Sequence, residues 1–276
     1  MVEYGEYVSE GVDHLDELAA LLAFPVLLSL LNQSAIRTVV SHRGQYFGIT
    51  FPFPAPIADL WTFVSLPSIE SASVETVRGV GSMFPPSAIG VLLAGMIGYA
   101  VLRGVFVAAY LGSIAQYRQQ GTYDVIANVR RFTGRYVALS LLLFGVFALN
   151  ALLVLLSVAF VLVTIPVVLA VTYLFWGAWF LVCTTDDDTF EALWGSYRLA
   201  IAGSEYVRWS VFHLLVSAAF SIFVSGLVVN GGFVGILLGL VVAVPVGFVL
   251  TVASLRVIED IAPSDLAGHS QPSPSW

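Results

Sequence analysis

One arginine interrupts an otherwise apolar stretch, and it is the residue in this sequence with the clearest chemical potential. Arg103 is the only charged residue between positions 87 and 117. A guanidinium carries a permanent positive charge and five donors in a fork that matches carboxylate and phosphate groups. Arg103 could therefore line a cavity and bind an anionic headgroup or solute. It could equally hydrogen-bond neighbouring carbonyl groups or extend to the edge of the apolar layer.

Two further arginines occupy matching positions in a weak internal repeat. An 11-residue segment that begins at Thr122 aligns without gaps with one that begins at Thr189, and Arg131 and Arg198 form the second identical pair. Each copy follows an apolar stretch and precedes another. The pattern predicts a helical elbow in the membrane interface for each copy, so that two span–elbow–span units form a parallel repeat. Arg131 and Arg198 are thus candidate contacts to a ligand or lipid, together with Arg103.

The acidic run 186–188 is the most concentrated group of potential metal ligands. Hard cations prefer carboxylate oxygens, but three consecutive side chains at a helix start do not converge easily on one ion. Asp188 and Glu191 also have the spacing of a capping box, and helix starts attract negative charge. The run is therefore interpreted as a helix cap and solvated acidic surface.

Residues for catalysis, cofactor binding or metal binding are not assigned. The sequence lacks a glycine-rich phosphate loop, a His-Glu-x-x-His zinc motif and a Gly-x-Ser-x-Gly elbow. Cys183 is the single cysteine, which excludes an intramolecular disulfide. His213 stands alone in an apolar stretch, where a hydrogen-bonded structural histidine is the favoured interpretation. We expect no enzyme activity, no cofactor and no nucleic-acid partner.

The apolar stretches that position these residues are long enough to cross a membrane. Residues 136–183 contain no Asp, Glu, Lys, Arg or His. A bilayer core takes about 20 helical residues to cross, so this run is too long for one span and suits two antiparallel helices. The whole chain is 58% hydrophobic and 11% charged, with a mean hydropathy of +0.92, far from the composition of a soluble domain. These values predict an integral membrane protein.

The predicted fold class is all-α: a polytopic transmembrane helical bundle of six spans with interfacial elbow helices. Residues 1–17 form a cytoplasmic N-terminal segment, 42–86 an extracellular excursion and 263–276 a disordered cytoplasmic tail. Pro25 is expected to kink the first span, and residues 68–84 are expected to form a short surface helix. The six spans of the membrane domain, which covers residues 18–262, are predicted at about 18–40, 87–117, 136–157, 159–183, 207–229 and 233–256.

The arginines also predict the orientation. Seven of them flank the spans on the side that carries both termini, and three lie on the opposite side. Because cytoplasmic loops carry the excess of basic residues, we expect a multi-pass protein of the cell membrane with both termini in the cytoplasm. All eleven basic residues are arginine, against eighteen Asp and Glu. An acidic chain without lysine is typical of salt-loving archaea, although a GC-rich genome would also replace lysine by arginine.

The second repeat copy carries a resemblance to known proteins. The sequence Thr-Phe-Glu-Ala-Leu-Trp-Gly-Ser-Tyr-Arg-Leu from Thr189 follows an aromatic-rich span and precedes another. In this it resembles a loose set of uncharacterised bacterial and archaeal six-span membrane domains, among them the membrane domain found beside some glycerophosphodiester phosphodiesterases. The likeness covers about residues 89–225. It implies a membrane module of unestablished activity, since the phosphodiesterase catalytic domain is absent.

Three functions remain open at this point. The favoured one is a non-enzymatic membrane module that organises lipid or assists an unidentified membrane or cytoplasmic protein partner. The alternative is a small transporter or channel for an anionic solute or lipid. An intramembrane enzyme acting on lipids is the weakest of the three, because such chemistry needs a cluster of carboxylate, histidine or serine side chains at membrane depth.

Overall fold

The computed structural model describes residues 4–67, 86–156 and 160–262, and all regular structure in these ranges is helical. The helix predicted at 68–84 and the tail 263–276 lie outside the described residues. The helices are α1 Tyr4–Asp13, α2 Ala23–Leu31 with a preceding 3-10 turn Ala19–Leu22, α3 Gln33–Ser41, α4 Leu60–Phe63, α5 Pro86–Gln120, α6 Val125–Leu156, α7 Val161–Phe175, α8 Ala178–Thr184, α9 Thr189–Ala202 and α10 Ser204–Ile261.

Several of these helices are long and apolar enough to cross a membrane. Within the described residues they are the stretches Ala94–Gln120, Val125–Asn150, Val161–Thr184 and Glu205–Ile261. The bent pair Ala19–Leu31 and Gln33–Ser41 makes a fifth if it counts as one span. Two predictions are therefore confirmed for the described residues: the regular structure is all-helical, and several helices are long and apolar enough to cross a membrane.

The longest helix, α10, is folded back on itself at Gly232. This residue has φ 57° and ψ −133°, a conformation that favours glycine. A straight helix would place Trp209 and Ser254 almost 70 Å apart at 1.5 Å per residue, yet the Trp209 Nε1 donates a hydrogen bond to the Ser254 Oγ at 3.1 Å. The two limbs, residues 204–231 and 233–261, therefore form an antiparallel hairpin.

The helices α5 and α6 form a second antiparallel hairpin, which closes over two glycines. A Cβ on Gly104 would lie 2.5 Å from the Val137 Cγ2 and 3.0 Å from its backbone nitrogen. A Cβ on Gly112 would lie 3.0 Å from Phe132. Small residues let helix backbones approach closely in this way.

Close packing does not extend to every glycine of α5. Among the described residues, nothing lies within 4 Å of the Cβ position at Gly90, Gly95 or Gly98. The close approach of the two helices is therefore confined to the part of α5 that contains Gly104 and Gly112.

The helix pair α2–α3, where the first span is predicted, bends at Asn32. The sequence predicts a kink at Pro25 instead, and that prediction is wrong. Pro25 lies in the first turn of α2, where its missing N–H leaves no helical hydrogen bond unmade. Asn32 has non-helical φ and ψ, and its Oδ1 accepts from the Ala35 backbone N–H to cap α3. The resulting angle between the two halves is 63°.

The two repeat copies differ in structure. In the first, the predicted elbow is continuous with the following span as the single helix α6, whereas Gly203 separates α9 from α10 in the second. Asp124 caps α6 and Asp188 caps α9. The alignment of Thr122 with Thr189 pairs Asp124 with Glu191. The two capping residues, Asp124 and Asp188, are therefore three positions out of register in this alignment.

The N-terminal helix α1 packs along the end of α10, and an ionic network joins both to the end of α5. The side chain of Arg118 is 7% exposed and pairs with Glu10 at 2.8 Å and Glu259 at 2.9 Å. Tyr7 donates to Asp260 at 3.0 Å. The first and last described helices and the C-terminal end of α5 therefore lie together at one end of the bundle.

Residues 42–67, called here the inserted segment, run along the first limb of α10 and then turn into the bundle. The backbones of Tyr46, Thr50 and Pro52 bond in turn to side chains of Asn230, Ser221 and His213. Successive contacts descend 17 helical residues, or about 25 Å. From residue 54 to 64 most side chains are buried, so the part of the predicted excursion that the structure describes lies against the helices.

We predict that Gly104→Ala destabilises the protein by about 1–3 kcal/mol, because the new methyl group overlaps Val137, including its backbone. Thermal unfolding in detergent measures this. The matched control is Gly98→Ala in the same helix, where the methyl group meets open space and no loss of stability is expected. Equal effects of the two changes would contradict the assigned helix contact.

Candidate functional site

Arg103 lies on the wall of an open cavity of about 850 Å³, called here the polar cavity because about half of its lining is polar. The cavity lies between the break that separates α2 from α3, the inserted segment and α5. Besides Arg103, its polar lining side chains are Asn32, Gln33, Ser34, Asp59, Thr62 and Tyr99. The broken helix and the inserted segment thus bring polar groups to the one charged residue of the apolar stretch 87–117.

A second, smaller cavity of about 180 Å³ meets the first at Arg103 and Ala55, which line both. It lies between the inserted segment, α6, α7 and the start of α8. Its wall is mainly aromatic and aliphatic; the aromatic members are Phe53, Phe144, Phe147, Phe175, Trp176 and Trp179. Arg103 therefore stands where a polar and an apolar compartment join.

The guanidinium of Arg103 is held by a ring rather than by a carboxylate. Its central carbon lies 5.4 Å from the centre of the Trp179 ring, a cation–π distance. Trp179 stacks on Tyr136, and the Tyr136 hydroxyl donates to the Trp179 carbonyl oxygen at 3.0 Å. Among residues 4–67, 86–156 and 160–262, no carboxylate oxygen lies within ion-pair distance of Arg103. Within the same residues the guanidinium has no hydrogen-bond partner, and the side chain lines both cavities.

Among the described residues Asp59 is the one carboxyl group that lines this site, and the sequence did not reveal it because it belongs to the predicted excursion. Its Oδ1 accepts from the backbone N–H of Thr62 at 3.0 Å and from the Thr62 hydroxyl at 2.9 Å, which caps α4. The Asp-x-x-Thr spacing is a capping signal visible in the sequence. Burial raises the pKa of Asp59, against the opposing effects of Thr62 and of the positive charge of Arg103.

Arg131, the second candidate residue, lies elsewhere and already has a partner. Its Nη2 is 2.7 Å from the Asp186 Oδ2, and Arg135 pairs with the same carboxylate. The pair borders a separate cavity of about 240 Å³ near Gln116 and Asn128. Asp186 has φ 59°, a left-handed conformation that Asp tolerates better than most residues. Arg131 thus ties the start of α6 to the loop before α9.

The acidic run 186–188 is divided between an ion pair at Asp186 and a helix cap at Asp188. The capping box is confirmed: the Asp188 Oδ1 accepts from two backbone N–H groups, and Glu191 accepts from the Asp188 N–H at 3.1 Å. Asp187 is only 8% exposed, so the prediction of a solvated surface is wrong for this residue. Within the described residues, no group of three or more His, Cys, Asp or Glu could hold a metal ion.

Arg198, the third candidate residue, lies on the outer face of α9. Phe190, Trp194 and Ile201 on the same face are 71%, 62% and 65% exposed. Arg198 is also exposed and follows Trp194 by one helical turn. The three arginines named from the sequence therefore occupy three different environments, and only Arg103 lines both the polar and the apolar cavity.

The isolated histidine has the structural environment expected from the sequence. His213 is 2% exposed, and its Nδ1 donates to the Pro52 carbonyl oxygen at 3.2 Å. It thus anchors the backbone of the inserted segment at Pro52.

Comparison of the chain with protein-family models, with curated proteins and with solved structures found no match. The site must therefore be interpreted from its own geometry.

We predict that Arg131→Gln lowers stability at pH 7 by about 0.2–1 kcal/mol, the range for exposed ion pairs. Burial would raise the pKa of Asp186, but the hydrogen bonds from Arg131 and Arg135 outweigh it and hold the pKa below its usual range. A lowered pKa in the folded protein gives stability that is present above the unfolded pKa and lost as pH falls through the folded one. Thermal unfolding of both proteins should thus converge at acid pH. Arg130→Gln, which removes a neighbouring exposed charge, should show no such pH dependence, and a similar pH dependence in both variants would refute the assignment.

Proposed function

We propose that this chain is a multi-pass protein of the cell membrane that has no catalytic activity and organises anionic lipid, alone or in support of a protein partner. One observation carries the proposal: Arg103, a permanent charge near the middle of an apolar helix, lines a cavity to which polar side chains of two other elements are also brought. A charge at the centre of a spanning helix costs about 2.5–3.5 kcal/mol on insertion scales, and such residues mark ligand or ion sites. A guanidinium in a low-dielectric cavity binds carboxylate or phosphate through charge-assisted hydrogen bonds.

Six crossings account best for the helices. The hairpin of α10 contributes two limbs, each longer than the about 20 residues that a bilayer core requires. The bent pair α2–α3, the helices α5 and α6, and the pair α7–α8 contribute four more. The ionic network around Arg118 gathers the first helix, the end of α5 and the end of α10, which supports both termini on the arginine-rich, cytoplasmic side.

The outer face of α9 supports an elbow helix in the membrane interface. Exposed Phe190 and Trp194 suit the level where apolar chains meet headgroups, and Arg198 could reach anionic headgroups there. Arg131 is already paired with Asp186, so it is a weaker candidate than Arg198 for a lipid contact.

A transporter or channel for an anionic solute or lipid is the second candidate function. The observation in its favour is that the cavity of Arg103 is lined by a broken helix and by non-helical backbone. Membrane transporters place their substrate sites at interrupted helices, and irregular backbone at membrane depth occurs where it is buried or lines a cavity.

The remaining expectations from the sequence belong to the same proposal. The resemblance to membrane domains found beside glycerophosphodiester phosphodiesterases favours a module that serves a partner and carries out no chemistry itself. The acidic chain without lysine favours a halophilic archaeon as its source. Membrane lipids and an unidentified protein are the proposed partners, with no role for nucleic acid.

The proposal is tested by purification from native membranes at high salt, with mass spectrometry of the lipids and proteins that remain bound. We predict that Arg103→Gln lowers the occupancy of bound anionic lipid by about tenfold or more, because hydrogen bonds to a charged group contribute about 1.5–3 kcal/mol. Arg130→Gln is the control, since it removes an exposed charge that lines neither cavity at Arg103.

The purification, together with a flux assay in proteoliposomes, distinguishes the candidate functions. Unchanged anionic lipid in the Arg103 variant would contradict the proposal. A protein partner present at a fixed ratio in both preparations would support the assisting role. Arg103-dependent flux of an anion in proteoliposomes would favour the transporter instead.

A further inference from the structure

We propose that the two cavities at Arg103 form one bipartite site for an anionic amphiphile with a single alkyl chain. The phosphate or carboxylate headgroup occupies the polar cavity against Arg103, and the chain occupies the aromatic cavity. This inference rests on the proposed function, since it names the class of ligand that the same site takes.

The two cavities share part of their wall. Arg103 and Ala55 line both, so a molecule that contacts the guanidinium is next to both cavities. One compartment offers amide, hydroxyl and guanidinium groups, and the other offers mainly aromatic rings and aliphatic chains. A ligand that fills both must itself have a polar and an apolar end.

The sizes of the two cavities favour one chain. The apolar cavity has about 180 Å³ against about 850 Å³ for the polar cavity. The narrower cavity lies between rings from α6, α7 and α8, and its volume suits one alkyl chain rather than two. The wider cavity is open, so it does not limit the size of the headgroup.

Ser140 is an independent sign of a ligand in the apolar cavity. This residue of α6 is 2% exposed and lines the cavity that Arg103 also lines. Its hydroxyl oxygen has no hydrogen-bond partner among the described residues. Because buried polar groups in native proteins are nearly always paired, this hydroxyl is a donor available to an ester or headgroup oxygen of the ligand.

Asp59 provides a test of the sign of the ligand charge. Its carboxyl group lies on the polar cavity beside the proposed headgroup position. Asn is as good a helix cap as Asp, so Asp59→Asn keeps the cap of α4 and removes the charge. Binding of an anion should then become several-fold tighter, whereas binding of a cation would weaken.

The experiment measures binding to the full-length protein in nanodiscs of zwitterionic lipid by isothermal titration, with empty nanodiscs subtracted. The probes are inorganic phosphate, butyl phosphate and octyl phosphate below its micellar concentration. Octyl phosphate should bind at least tenfold more tightly than inorganic phosphate. Arg103→Gln should weaken every probe by about tenfold or more.

A pair of matched variants tests the position of the chain. Val171 lines the apolar cavity, and Val167, one turn earlier on α7, is exposed and is not part of the cavity lining. Val171→Phe should remove most of the advantage of octyl phosphate and leave binding of inorganic phosphate unchanged. Val167→Phe should behave like the unaltered protein. Asp59→Asn gives a second, independent measurement if Val171→Phe does not fold.

The outcomes separate the two proposals. Arg103-dependent binding of equal strength for inorganic and octyl phosphate would overturn the amphiphile and leave the anion site intact. Arg103-independent binding, or none, would overturn both. Octyl phosphate bound equally well by both valine variants, or weakened by Asp59→Asn, would overturn the placement of the chain or the charge of the ligand.

Discussion

The structure depends on hydrogen bonds to the backbone of the inserted segment, which apart from α4 is neither helix nor sheet. The inserted segment leaves the end of α3, follows the first limb of α10 and enters the bundle, where buried N–H and C=O groups are costly if unpaired. A polar stripe on α10 meets this need. Ser221 accepts from the Thr50 N–H at 2.7 Å, and Ser225 accepts from the Ser65 N–H at 2.8 Å. These contacts fix the path of the segment, and that path forms the cavity.

Both walls of the proposed site follow from this arrangement. On one side the segment places Ala55 and Asp59 on the cavities. There the Ser29 Oγ of α2 donates to the Pro25 carbonyl oxygen and accepts from the Leu60 N–H at 3.0 Å, which binds the backbone of the segment to α2. On the other side Trp179 holds the guanidinium of Arg103 by a contact worth about 2 kcal/mol when desolvated. That contribution offsets much of the cost of placing the charge in an apolar helix.

The helices could be predicted from the sequence because their signal is local. The stretch predicted at 87–117 is found as α5 Pro86–Gln120, and the cap at Asp188 was read from adjacent residues. The path of the inserted segment could not be predicted, because its partners lie about 160–185 residues away along the chain. For the same reason the sequence did not predict that Asp59 lies on the candidate site.

Other differences have equally specific causes. The bend at Asn32 depends on a side chain that caps the next helix, which outweighs the presence of a proline whose position in the first turn is harmless. The packing of Gly104 depends on Val137 in the neighbouring helix. Spacing within one helix does not reveal such a contact. Arg103 was identified because a lone charge in an apolar stretch is visible without knowledge of its neighbours.

The central claim is that the inserted segment enters the bundle instead of covering its surface, and single-cysteine labelling tests it most directly. In a Cys183→Ser background, Val64→Cys and Gln45→Cys are exposed in native membranes to a membrane-impermeant maleimide. Val64 is 4% exposed and Gln45 is exposed. If the inserted segment enters the bundle, only the cysteine at position 45 is labelled in native membranes, and the cysteine at position 64 reacts after denaturation. Equal labelling of both positions in native membranes would contradict it.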